Sequence, residues 1–224
     1  MQTNPYETPT VASAQDVLAV NKVLRNTYML LGMTIIFSAM TAGIAMVTNA
    51  PPMHFLLMIG LFYGLLFAIH KTQNSVWGLV FTFALTGTLG YTLGPIFNSL
   101  LQIPNGNSII TTALGGTGFI FFALSGYALV SKKDFSFLSG FMLVGFFVLI
   151  AGVVANLFLN IPMLSLAISA GFILFSSAAI LMQTGQIING GERNYVLATV
   201  TLYVSIYNIL VSLLHILTAF SGDD

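Results

Sequence analysis

The chain has 224 residues, of which 57% are hydrophobic and 5% charged, and it carries no net charge. Soluble domains average about 25% charged residues, so a water-soluble fold of this size would lack a polar shell. The absence of cysteine excludes disulfides, thiolate catalysis and cysteine-ligated metal, and no basic cluster suggests nucleic acid.

The chain opens on a polar stretch holding Pro5 and Pro9, without the apolar core or cleavage site of a secretory signal. Residues 1–27 therefore read as a flexible cytoplasmic tail, and residues 28–222 as the membrane domain. From Arg25 onward, charged residues fall only in gaps. Forty-five uncharged residues separate Arg25 from Lys71, with Pro51-Pro52 near the middle. Sixty separate Lys71 from Lys132 around Pro104-Asn105-Gly106, and fifty-seven separate Asp134 from Glu192 around Asn160-Ile161-Pro162. About 20 apolar residues cross a bilayer core, so each interval holds an out-and-back pair. A last crossing lies between Arg193 and Asp223. Only helices satisfy the backbone here, because no alternating barrel pattern occurs. The predicted helices are 30–47, 53–69, 76–97, 112–130, 135–157, 161–182 and 195–220. The stretch from Asn98 to Thr111 reads as the longest connection.

This layout gives an all-α membrane protein with seven transmembrane helices. It gathers Lys22, Arg25, Lys71, Lys132, Lys133 and Arg193 on one side, which the positive-inside rule assigns to the cytoplasm. The N-terminus is then cytoplasmic and the C-terminus lies on the outer side. Small residues that allow close helix approach recur at Gly60/Gly64, Gly90/Gly94 and in the run Gly115-Gly116-Thr117-Gly118. That run lacks the Lys-Ser/Thr of a phosphate loop and follows no strand, so nucleotide binding has no support.

The seventh helix carries Asn194, Thr201, Ser205, Asn208, Ser212 and His215. At about 100° per residue these fall in one stripe less than about 90° wide. The sixth helix repeats the pattern with Ser165, Ser169, Ser176 and Gln183. Turning both stripes inward makes the C-terminal helix a central element surrounded by six others. Two readings of the stripes stand. In one, Ser and Thr bond their own backbone while Asn208 and Gln183 bridge between helices. In the other, they line a path for an ion or small polar solute. No acid lies among them, and cation pathways usually include one.

His54, His70 and His215 fall near helix ends and read as interfacial side chains, with no metal-ligand spacing and no HExxH. Intramembrane serine proteolysis has two candidates, Ser125-Gly126 and Ser139-Gly140. Each lacks the preceding glycine of a GxSG pattern, since Ala123 and Phe137 stand there.

Three stretches are specific. Lys133-Asp134-Phe135-Ser136-Phe137-Leu138, the run Thr82-Phe83-Ala84-Leu85-Thr86-Gly87 ending at Gly94-Pro95, and Leu202-Tyr203-Val204-Ser205-Ile206-Tyr207-Asn208-Ile209-Leu210 resemble the Bax inhibitor-1 family. Gln183-Thr184 and Gly190-Gly191-Glu192 resemble its bacterial YccA-like branch. The resemblance implies a seven-helix bundle around the final helix and a bacterial inner-membrane location. It implies no cofactor and no enzymatic activity. Members are associated with a pH-sensitive calcium leak, in which two aspartates share a proton and an arginine engages them. Those positions correspond to Gln183, Ser205 and His70 here, so the carboxylate switch is replaced. The YccA-like branch is linked with the membrane-anchored ATP-dependent protease FtsH, as a modulator. The expected role is therefore restraint of such a protease, with the N-terminal tail as candidate contact. The alternative is a cation leak along Gln183, Ser205, Asn208 and Ser212, with His70 as the carrier of any residual pH response.

Overall fold

A computed structural model of the chain describes residues 14–221. It is helical throughout, with α1 Ala14–Val47, α2 Phe55–Thr72, α3 Val76–Leu100, α4 Gly106–Ser131, α5 Leu138–Leu159, α6 Pro162–Ile188 and α7 Tyr195–Ser221. Among the described residues all seven helices are long and apolar enough to cross a membrane. The positions of the crossings agree with the charge spacing, but several ends move outward.

The largest shift is at α1, which starts at Ala14 and so takes up the second half of the expected tail. No glycine interrupts this stretch before Gly32, and Val17, Val20, Val23, Thr27 and Leu30 recur at helical spacing. Lys22 and Arg25 mark the membrane boundary within the helix, where the charge-based reading had placed the end of the tail. Residues 1–13, the rest of that tail, lie outside the described residues. The expected long connection also shortens. α3 runs to Leu100 and α4 begins at Gly106, because Ile109 and Ala113 both bury and draw the polar turn Asn107-Ser108 into the helix. Gly106 is needed at this bend, since a Cβ there would collide with the Leu100 carbonyl oxygen.

Helix ends follow local chemistry. α4 and α5 close on residues in the left-handed region, Lys132 at φ 51° and Asn160 at φ 48°. α6 opens with Pro162 in its first turn, where a missing N–H removes no helical bond. α1 and α3 pack most closely. A Cβ on Gly90 would collide with the Ser38 carbonyl oxygen and Thr41 Oγ1, and one on Gly94 would lie 2.5 Å from Ala45 Cβ. Of the three small-residue motifs only this one brings two backbones together, for Gly60, Gly64, Gly115 and Gly118 face open space.

α7 touches α1, α2, α3, α4 and α6. α5 packs on α6 and on no other helix among the described residues, so α7 has five neighbours and not the expected six. α5 buries none of its residues and α2 buries only Ile69, as suits helices facing acyl chains.

Candidate functional site

α7 presents polar groups on two opposite faces. Asn194, the first member of the expected stripe, is its N-cap. Its Oδ1 accepts the Val196 N–H at 2.9 Å and the Leu197 N–H at 3.2 Å. Its amide donates to Gln73 O and Asn74 Oδ1, which ties the start of α7 to the α2–α3 turn. Two turns further, Thr201 donates to Leu197 O at 3.1 Å and Ser205 to Thr201 O at 2.8 Å. Both hydroxyls are thus held by their own helix. On the far side, about 160° around the axis from Ser205, lie Tyr203 and Tyr207. The Tyr203 hydroxyl bonds Ser38 Oγ of α1 and donates to Thr86 O of α3 at 3.1 Å. Tyr207 Oη lies 2.6 Å from Thr92 Oγ1. Thr92 already donates to Leu89 O, so Tyr207 is the donor in that pair. Sequence reasoning passed over both tyrosines as part of an apolar run. Their four-residue spacing opposite the stripe was the available signal.

Toward the end of the bundle away from the lysines, α5, α6 and α7 enclose a crevice of about 540 Å³. Asn208, Ser212 and His215 line it from α7, Ser165 and Ser169 from α6, and Asn156 and Asn160 from α5. His215 is the residue that joins two helices here. Its Nδ1 lies 2.9 Å from Ser169 Oγ, while Ser169 donates to Ser165 O at 3.1 Å. The expectation of a simple interfacial histidine missed this contact.

From the crevice the α6 stripe runs inward. Ser169, Ser176 and Gln183 stand at seven-residue steps, about 21 Å from first to last at the helical rise. Ser176 is 1% exposed and Gln183 5%, and neither the serine hydroxyl nor the amide nitrogen has a protein partner. Neighbouring helices contribute more of the same: Thr27 and Tyr28 of α1, Ser125 and Ser131 of α4, and Thr184 beside Gln183 all hold unpartnered buried oxygens. A buried polar group left without a partner costs about 1–3 kcal/mol.

The expected site residues therefore divide. Gln183 and Ser205 are buried on α6 and α7, which pack on each other. Asn208 and Ser212 line the crevice. His70 stands apart, exposed in the last turn of α2, a helix that does not touch α6. Outside the membrane-spanning segments, Asp134 Oδ1 accepts both the hydroxyl and the N–H of Ser136 at the approach to α5. The Ser136 hydroxyl, then its N–H, hold this exposed carboxyl below its usual range. Among the described residues no three His, Cys, Asp or Glu side chains could jointly hold a metal.

Comparison with known proteins assigns the family. The family model described as Inhibitor of apoptosis-promoting Bax1 matches residues 20–222. The Escherichia coli K12 protein named Modulator of FtsH protease YccA is 51% identical, with 95% of this chain and 98% of the relative aligned. The protein of E. coli O6:H1 named Inner membrane protein YccA matches to the same extent. An uncharacterised protein of Pseudomonas aeruginosa is 54% identical with both chains covered in full. A match of this extent, over a seven-helix membrane bundle, means that the chain belongs to the Bax inhibitor-1 family.

Proposed function

We propose that this chain is a non-enzymatic inner-membrane modulator of an FtsH-type ATP-dependent protease. The observation that carries the reading is its likeness, over nearly its whole length, to the E. coli protein named as such a modulator. The fold is compatible with it. A bundle whose last helix is cross-linked by hydrogen bonds to α1, α3 and the α2–α3 turn resists local opening, which an unfolding machine requires. The basic residues belong in the cytoplasm and the C-terminus on the outer side, an orientation read by a reporter fused after Asp224.

Co-reconstitution of the full chain with the protease is the test. Degradation of a membrane substrate should slow as the chain is added, while the chain itself persists. Unchanged degradation at stoichiometric excess would overturn the reading. Removing residues 1–16 asks whether the N-terminal segment is the contact, and unaltered association would take it out of the mechanism.

A second reading, a cation leak, rests on the crevice and the line of Ser169, Ser176 and Gln183 behind it. No carboxylate stands on α6 or α7, so any flux should be weak and vary little between pH 6 and 8 in liposomes. A steep, calcium-selective, proton-gated current abolished by Gln183→Ala would put this reading in place of the first.

A further inference from the structure

At the basic end the first turns of α1 lie beside the connection between α6 and α7. A Cβ added at Gly190, which holds φ +74°, would lie 3.8 Å from Val20 Cγ2. Between them opens a crevice of about 900 Å³. Much of its wall is aliphatic, from Val17, Val20, Val23 and Ile188, and three cations line it as well: Lys22 from α1, Lys132 from the end of α4 and Arg193 ahead of α7. Among the described residues one carboxylate, Glu192, shares the lining, and it accepts the Asn194 N–H at 2.7 Å. The described lining therefore carries a surplus of two positive charges.

Helix dipoles do not account for this set. Lys132 follows the C-terminal end of α4, where a cation is favourable, but Arg193 directly precedes the Asn194 cap of α7, where the dipole opposes it. The three cations come from three separate segments and meet only in the folded bundle. Lys132 and Arg193 lie beyond the apolar spans and Lys22 in the opening turns of α1, and basic hollows between helix ends are suited to phospholipid headgroups. A free phosphate would match the charge but would leave the valine wall unused. We propose that this crevice seats the phosphate and upper acyl chains of an anionic phospholipid.

The experiment uses the full-length protein in mild detergent, with phosphatidylglycerol or phosphatidylcholine added and bound lipid counted by native mass spectrometry. The wild type should retain phosphatidylglycerol well above phosphatidylcholine. Lys22→Gln, Lys132→Gln and Arg193→Gln should each lower that retention about five-fold. Combined, they should erase the preference. Lys71→Gln removes a charge that does not line the crevice, and should change nothing. Melting in the same detergent identifies any variant that fails to fold, and the single substitutions at these exposed side chains carry the comparison if the triple variant does. Equal retention of the two lipids by the wild type, or a loss with Lys71→Gln as large as with Lys22→Gln, would overturn the proposal. So would displacement of the lipid by millimolar inorganic phosphate, which would mark a small-anion site instead.

Discussion

Gln183 sits in the core with an amide nitrogen that no protein atom accepts. If it serves only as packing, an apolar side chain of similar length does the work better, since it leaves nothing stranded. Gln183→Leu is therefore expected to hold or raise the melting temperature in detergent, and a fall of several degrees would show that the amide is engaged. Asp134 makes the opposite kind of prediction. Its folded pKa is depressed, so the turn it forms with Ser136 adds stability above the unfolded carboxylate pKa and loses it as pH falls through the folded value. The Ser136 amide should be protected relative to its intrinsic exchange rate at neutral pH and lose that protection in acid, and Asp134→Ala should lack it at both. Legibility at this scale was uneven. The stripe residues Ser205, Asn208 and Ser212 could be found because a period of 3.6 is written into their spacing. Tyr203 and Tyr207 could not, because their apolar rings let them pass as core while the hydroxyls found partners on other helices.

Among the elements, α1 and α3 depend on Gly90 and Gly94. Adding a methyl group at Gly90 must push two backbones apart, at a cost of about 1–3 kcal/mol. Gly90→Ala should accordingly lower thermal stability, whereas Gly64→Ala, with nothing near its Cβ, should leave it unchanged. The comparison tests the packing directly, because each glycine belongs to a pair with the same four-residue spacing. That motif states only that close approach is allowed. Which helix arrives depends on contacts far apart in the chain, and so lies beyond what spacing alone expresses. Helix existence, by contrast, was plain from uninterrupted apolar length, and several ends, such as the start of α1 and the end of α3, moved outward because those helices continue past the hydrocarbon.

For the molecule as a whole, α5 is the exception. Every other helix is held by at least two neighbours, and α5 leans on α6 alone. Asn156 and Asn160, which bound the crevice holding His215, ride on it. A bilayer thinner or thicker than the bundle obliges some helix to change its tilt, and the one with a single interface yields first. Spin labels placed on α5 and α6 should change their separation with lipid chain length more than labels on α1 and α3. The width of that polar mouth is then set jointly by the polypeptide and by its host membrane, so that lipid composition becomes a way of tuning it.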